Sequence, residues 1–320
     1  MPDMRVFLGF DTSNYTTSAA LVGENGELIA NLKRPLPVKE GAVGLRQSDA
    51  VFAHVKNLPS LTEELGRCLE GCEPIAIGVS TRPRNIEGSY MPCFLVGQGV
   101  ADSLAAVSRV PVFTFSHQCG HMMAAIASSG AFSLLERSFA AFHVSGGTTD
   151  VLRVCTSQDG GFLAECVGGA ADLHAGQVID RVGVYMGVPF PCGAHMERLA
   201  LEFHGRLPNK KISVNGLHAN LSGLENIAKR MYDETADPSL VSAFVFRYIA
   251  ETLAALSQAY TDAYGDAPFL YVGGVMSNAL IKAYIAERFN AHFAEPALSS
   301  DNAVGIAHLA RRAYFASKAR

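Results

Sequence analysis

The sequence predicts an α/β protein built from two duplicated units with a cleft between them. Three observations carry that expectation. Each half of the chain opens with three short apolar runs separated by turns, the spacing of an antiparallel β-meander. Each half then alternates helical and strand-like stretches. Turns of glycine or small hydroxyl residues also end strands at matching places in the two halves.

The first half begins with an apolar run, Val6 to Phe10, a polar turn from Asp11 to Thr17, and a second run from Ser18 to Val22. Asn25-Gly26 is a hairpin signal, and Leu28 to Leu32 follows as the third strand. A helix is expected from Asp49 to Leu69, perturbed by Pro59, then a strand from Ile75 to Ser80. A loop from Thr81 to Met91, a helix from Val96 to Ser108 and a strand from Val112 to Phe115 complete the half. In the second half the strands are expected at Ser138 to Ser145, Val151 to Cys155 and Phe162 to Val167. Helices are expected at His174 to Met186 and Ala194 to Glu202, with a polar, irregular stretch from Leu207 to Gly223. A long helix from Pro238 to Tyr264, strand Phe269 to Val272, helix Ser277 to Phe289, strand Ala291 to Ala294 and helix Asp301 to Ala316 close the chain. The expected division places 1–115 in an N-terminal lobe, with the helix over 301–320 free to pack back on it. Residues 116–300 are expected to form a C-terminal lobe that contributes the residues of a site at the cleft.

Composition narrows the function classes. The chain has 320 residues, 49% of them hydrophobic, enough for a substantial core. A net charge of −4 provides no global field toward nucleic acid or anionic membrane. Local basic pairs, Arg82 with Arg84, Lys210 with Lys211 and Lys229 with Arg230, read as solvated surface. Seven cysteines form no Cys-x-x-Cys pair, and the chain opens without a basic and apolar signal segment. Reduced thiols and a cytoplasmic location are therefore expected. No apolar run approaches membrane-spanning length, so no membrane partner is expected.

Three turns share one chemistry. At Asp11 to Thr17 a strand ends in an acid followed by hydroxyl residues; at Ser145 to Thr149 the turn is Ser-Gly-Gly-Thr-Thr; at Gly273 and Gly274 a glycine pair leads into a helix. Glycine lets backbone approach a ligand closely, and its N–H groups can cradle phosphate. Three such turns in a duplicated α/β chain are the pattern of the actin, hexokinase and Hsp70-type ATPase architecture, two ribonuclease H-like units flanking a cleft. Asp180, in a helix beside that site, is a candidate for ribose hydroxyls.

His117 and His121 stand four apart at the start of a helix, so both imidazoles lie on one face and can share a metal ion. Asp301, at the start of the last helix, is either a helix N-cap or the carboxylate that completes a two-His, one-carboxylate site suited to iron or zinc.

Taken together, these motifs resemble the TsaD family, transferases that make N6-threonylcarbamoyladenosine in tRNA and were long described as O-sialoglycoprotein endopeptidases. The family's His-x-x-x-His and Thr-Asp-Asn match His117, His121 and Ser300-Asp301-Asn302. Its Ser-Gly-Gly-His-Thr matches Ser145 to Thr149, its Ala-Gly-Glu-Ala-Phe-Asp-Lys matches Ala175 to Arg181, and its Tyr-Pro-Gly-Gly-Pro matches Phe190 to Ala194. Its Ser-Gly-Leu-Lys matches Ser222 to Glu225, and its Gly-Gly-Val-x-x-Asn matches Gly273 to Asn278. The resemblance implies one divalent metal, iron or zinc, on His117, His121 and Asp301. It also implies ATP, AMP or an acyl-adenylate at Ser145, Gly146, Gly147, Thr148, Asp180, Gly193, Gly273, Gly274 and Asn278. The implied reaction passes a threonylcarbamoyl group from threonylcarbamoyl-AMP to an adenosine of tRNA, with Asp11, Tyr15 and Thr16 as the candidate catalytic edge. The implied partners are tRNA and proteins of that pathway, such as a TsaB-like homologue.

The chain departs from the family at its first turn. Family members read Glu-Thr-Ser-Cys-Asp-Glu-Thr where this chain has Asp11-Thr12-Ser13-Asn14-Tyr15-Thr16-Thr17. Tyr15 and Thr16 thus stand where consecutive acids would be, and a phenol, ordinarily ionising near about pH 10, is a poor proton acceptor. The family's Lys in Ser-Gly-Leu-Lys is Glu225, and its glycine-rich loop is Arg82 to Gly88. The alternative reading is a non-catalytic nucleotide- and metal-binding paralogue that scaffolds a true transferase. A metallopeptidase ranks lower, because the histidine pair lacks the Glu of His-Glu-x-x-His.

Overall fold

A computed structural model of the chain describes residues 4–13, 15–37, 45–157, 161–295, 298 and 303–319. They divide into two compact units, one comprising 1–132, 156–163 and 297–320, the other 133–155 and 164–296. The first unit therefore runs past the expected boundary at 115.

The first unit is built on a five-stranded sheet of β1 (Met4–Asp11), β2 (Thr16–Gly23), β3 (Leu28–Pro35), β4 (Cys72–Arg82) and β5 (Val112–Ser116), in the order β3-β2-β1-β4-β5. The meander β1–β3 is antiparallel, with Phe10 opposite Ala19 and Asp11 opposite Ser18, whereas β1, β4 and β5 run parallel. Parallel strands need crossovers, and α1 (Gln47–Cys68) and α2 (Phe94–Ser108) supply them. Central strand β1 is buried on both faces. Val6, Leu8 and Phe10 share a core with Leu58, Leu61 and Leu65 of α1 and Ala101 and Ala105 of α2.

On the other face lies α9 (Val304–Lys318), where Phe7 meets the rings of Tyr314 and Phe315 at 5.8 Å. This helix approaches the sheet at backbone distance. A Cβ on Gly9 would sit 2.5 Å from the Ala303 carbonyl oxygen, and one on Gly305 would sit 1.8 Å from that of Gly120. Gly120 belongs to α3 (His117–Ser129), so the glycine pair locks α3 against α9 and brings the two histidines into the first unit. The expectation of a metal pair in the second lobe is corrected accordingly.

The second unit contains a seven-stranded sheet of order β12-β11-β6-β7-β8-β10-β9. Its strands are β6 (Phe139–Val144), β7 (Thr149–Thr156), β8 (Phe162–Ala170), β9 (Val214–Asn215), β10 (His218–Ala219), β11 (Phe269–Val272) and β12 (Ala291–Phe293). Its helices are α4 (Ala175–Tyr185), α5 (Gly193–Glu202), α6 (Ser222–Thr235), α7 (Pro238–Tyr264) and α8 (Ala279–Ala286). Asp237 caps α7 by accepting the N–H groups of Ser239 and Leu240, and Pro238 takes the first helical position, where no N–H is needed.

Three expectations change here. At 27 residues α7 is long and apolar enough to cross a membrane by length and composition, contrary to the absence of such a run expected from sequence. Its apolar side chains, Val241, Phe244, Val245, Ile249, Leu253 and Leu256 among them, form the core of this unit. Helix α6 occupies a stretch the sequence reading left unassigned. The glycine pair at Gly273-Gly274 leads first into a 3-10 turn, Gly274–Ser277, and Asn278 then caps α8.

Candidate functional site

In the first unit the site grows from the junction of β5 and α3. Ser116 is the N-cap, its Oγ accepting the N–H of Cys119 at 3.2 Å. This start places His117 at the first helical position and His121 one turn on, with ring centroids 4.3 Å apart and Nε2 atoms 2.9 Å apart. Nδ1 of His117 lies 2.6 Å from Oδ2 of Asp11, which is fully buried at the end of β1. The second carboxylate oxygen accepts the N–H of Ser13 at 2.8 Å. An ionised carboxylate only accepts, so His117 Nδ1 carries the proton, and in the neutral ring Nε2 is the nitrogen left with a lone pair, toward His121. This is how a carboxylate orients a metal-ligating histidine.

Two imidazole nitrogens facing one point, one ring held by a buried carboxylate, suit iron or zinc. The expected third ligand, Asp301, lies outside the described residues. Among the described residues no cluster of three or more His, Cys, Asp or Glu is arranged to hold a metal.

The turn after β1 is tied down from below. Thr12 donates to the Cys93 carbonyl at 3.0 Å and accepts the Gly97 N–H at 3.1 Å. Thr17 lies 2.8 Å from Nδ1 of His54 and accepts the Asn57 amide at 3.1 Å. His54 is fully buried, and burial lowers its pKa despite the opposing Ser13 backbone and Asp11, so it is neutral near pH 7. Burial, and then the negative charge of Asp11, push the Cys93 thiol up to about 11, which makes it inert. Tyr15 stands 46% exposed on the outer side of the turn, and Thr16 begins β2.

In the second unit a cavity of about 570 Å³ brings together Gly146, Asp180, Gly193, Gly274 and Asn278 from the expected set. Gly176 and Glu197 join its lining. Glycine is required at 176, because a Cβ there would lie 2.6 Å from the Gly146 nitrogen and push the start of α4 off the 145–149 turn. Ser145, Gly147, Thr148 and Gly273 do not line the cavity; they shape the turns that carry Gly146 and Gly274 to it. Ser145 Oγ accepts the N–H groups of Gly147 and Thr148 at 3.2 and 3.1 Å. Gly273 holds φ at 103°, and a Cβ on it would lie 2.3 Å from the Val144 carbonyl oxygen. Asp180 accepts the Cys192 N–H at 2.9 Å. Asn278 accepts the Ile281 N–H at 3.0 Å through Oδ1, while its Nδ2 is buried with no partner among the described residues. A buried orphan donor in the lining of a cavity of this size fits a nucleotide-sized polar ligand.

Sequence reasoning missed Glu197 and His54. Glu197 Oε1 accepts the Ala279 N–H at 2.6 Å and ties α5 to the start of α8. Neither residue sits in a motif, and only tertiary packing brings them to the site. Glu225, at the position of the family's Lys, lies 2.6 Å from Lys229 and 3.2 Å from Arg181. Burial pushes its carboxyl up, but the two cations outweigh this and hold it below the usual range.

Comparison with known proteins gives one consistent family. A family model described as TsaD, tRNA N6-adenosine threonylcarbamoyltransferase, matches residues 44–308. A protein of that name from Polaromonas naphthalenivorans (strain CJ2) is 29% identical over 94% of this chain and 86% of its own length. Another, from Bacillus cereus, is 29% identical over 97% and 91%. Among solved structures, the chain is similar in fold to a ROK family glucokinase from Streptomyces griseus, with TM-score 0.51, 14% identity and coverage of 96% and 99%. Full-length HypF gives a TM-score of 0.60 at 12% identity, covering 97% of this chain and 55% of HypF. These likenesses show the actin- and hexokinase-like ATPase fold expected from the three turns.

Proposed function

Because this chain belongs to the tRNA N6-adenosine threonylcarbamoyltransferase family, we propose that it moves a threonylcarbamoyl group from threonylcarbamoyl-AMP to an adenosine of tRNA. In that step the adenine amine bonds to the carbamoyl carbon, the C–O bond to the phosphate breaks, and AMP leaves as the amine loses a proton. The observation that carries the reading is the relay from buried Asp11 through His117 to His121. A carboxylate that holds the distal nitrogen of a histidine is the arrangement that orients metal-ligating imidazoles.

The residues take distinct roles. His117 and His121, with Asp301 as the proposed third ligand, would hold iron or zinc, which would neutralise the donor's phosphate and carboxylate charge and polarise its carbonyl. Asp11 is a positioning residue, since it fixes the His117 tautomer. The adenylate half of the donor occupies the cavity of Gly146, Asp180, Gly193 and Asn278, where Nδ2 of Asn278 donates a hydrogen bond. Tyr15 and Thr16 face the acceptor as hydroxyl groups that orient it rather than as bases. The reaction is expected in the cytoplasm, with tRNA as partner and a TsaB-like homologue or another protein of the pathway as companion.

The test is a transfer assay with tRNA, threonylcarbamoyl-AMP and the metal-loaded chain, with pathway partners added. Product that forms with the wild-type chain and is lost in His117→Ala or after chelation supports the reading. Metal and adenylate binding without transfer would favour the scaffolding paralogue instead.

A further inference from the structure

Two of the basic residues that read as solvated surface in the sequence, Lys210 and Arg230, come together in the fold. Arg206 and Lys210, on the irregular segment after α5, and Arg230, on α6, line one cavity of about 630 Å³ in the second unit. Glu234 is the single carboxylate in that lining. Three cations thus face one acid, in a chain whose net charge is −4. Arg206, Lys210, Lys211 and Arg230 are exposed, and none has an ion-pair partner among the described residues. The neighbouring cations are engaged: Lys229 by Glu225, and Arg247 by Glu251 at 2.6 Å. Lys210 also borders a second cavity, of about 450 Å³, so the 207–210 segment forms a ridge between two hollows. The ridge is anchored, because Tyr248 Oη donates to the Lys211 carbonyl at 3.3 Å and the Asn220 N–H to that of Ser213 at 2.9 Å.

We propose that this ridge, through Arg206, Lys210, Lys211 and Arg230, seats the phosphodiester backbone of the acceptor RNA. The identity of that RNA rests on the function proposed above. The chemistry favours a polyanion over a small phosphate. A compact phosphate wants converging backbone N–H groups or a helix N-terminus. The start of α7, whose Leu240 lines this cavity, is already capped by Asp237. Cations spread along a ridge suit charges that repeat along a strand, where each contact releases counterions. Placement agrees. Helix α5 begins at Gly193 in the wall of the adenylate cavity and ends at Glu202, and its ten residues span about 15 Å. The adenylate cavity and the segment that carries Arg206 and Lys210 thus follow opposite ends of one short helix.

The experiment is filter binding of an unmodified tRNA transcript to the full chain across a salt series. The wild type is compared with Arg206→Glu/Lys210→Glu/Arg230→Glu and with the milder Arg206→Gln/Lys210→Gln/Arg230→Gln. A control reverses three exposed cations elsewhere, Lys56, Arg137 and Lys318, for the same change in net charge. The expected result is at least about tenfold weaker binding by the ridge variants and a salt slope reduced by about 2 to 3, with the control near wild type. Equal slopes for ridge and control variants would overturn the proposal. So would absence of salt-dependent binding by the wild type, or micromolar competition by inorganic pyrophosphate. The transfer assay fails separately: RNA held at the ridge without transfer sinks the transferase reading alone, and transfer with an unchanged tRNA KM in the ridge variants sinks the ridge alone.

Discussion

Oδ2 of Asp11 lies 2.6 Å from Nδ1 of His117, and this contact decides which nitrogen of the imidazole is left for a ligand. The two residues are separated by 106 positions in sequence and meet because β1 and β5 both end at this edge of the first unit's sheet. Asp11→Asn tests the contact. An amide can offer Nδ2–H to the ring and select the other tautomer, with little change in packing volume. The expected outcome is a loss of zinc affinity of about 10- to 100-fold, read by chelator competition, with a melting temperature close to wild type. Unchanged affinity would remove Asp11 from the metal site.

Asn278 does two jobs that one substitution separates. Asn278→Asp retains an oxygen to cap α8 and loses the buried Nδ2 donor. Calorimetry with AMP is expected to show at least about tenfold weaker binding, consistent with loss of a hydrogen bond to a polar ligand, while thermal unfolding stays near wild type. Asn278→Ala is expected to lose both, with about 1 kcal/mol of stability going with the cap.

The packing of α3 on α9 depends on Gly305. Its substitution by Ala puts a methyl group 1.8 Å from the Gly120 carbonyl oxygen, in rigid backbone. The helices must separate, at an expected cost of about 1–3 kcal/mol or more in denaturant unfolding. Because α3 carries His117 and His121, zinc affinity should fall in the same variant. A stable variant with intact zinc affinity would show that the contact does not position the site.

His308 gives the first unit a pH dependence. Burial, helped by Arg311, lowers its pKa from 6.5 to about 4. Between those values the unfolded chain binds a proton that the folded chain does not, so stability rises with pH across that window. The contribution is complete above pH 6.5 and is lost as pH falls toward 4, about 3 kcal/mol in all. Urea titrations of wild type and His308→Leu at pH 7 and pH 4.5 check this: the wild type should lose more stability than the variant on acidification. Equal losses would mean that His308 is hydrated in the folded protein.

Much of this was legible in sequence because it is local. The three-strand openings, the i, i+4 histidine pair and the turn glycines are short-range patterns, and the strand Phe269–Val272 and the helix Pro238–Tyr264 coincide with their sequence reading. Helix α6 was legible too, since Leu224, Ile227, Ala228 and Met231 follow helical spacing, but its many polar residues masked the stripe. What sequence could not give was long-range. Nothing at Asp11 announces His117, nothing at His54 announces Thr17, and Arg206 and Arg230 look like ordinary surface until one cavity joins them. The close packing of α3 on α9 within the first unit likewise rests on Gly120 meeting Gly305, a contact across 185 positions that no local pattern encodes.

The most direct measurement of the central claim is nucleoside mass spectrometry. Unmodified tRNA would be incubated with the metal-loaded chain, threonylcarbamoyl-AMP and pathway partners, then digested to nucleosides. The same reaction would be run with Tyr15→Asp/Thr16→Glu. A transferase whose first turn orients the acceptor through hydroxyl groups predicts N6-threonylcarbamoyladenosine from the wild-type chain. No such nucleoside from the wild type, with product appearing in the double variant, would contradict it and show an intact site silenced at Tyr15 and Thr16.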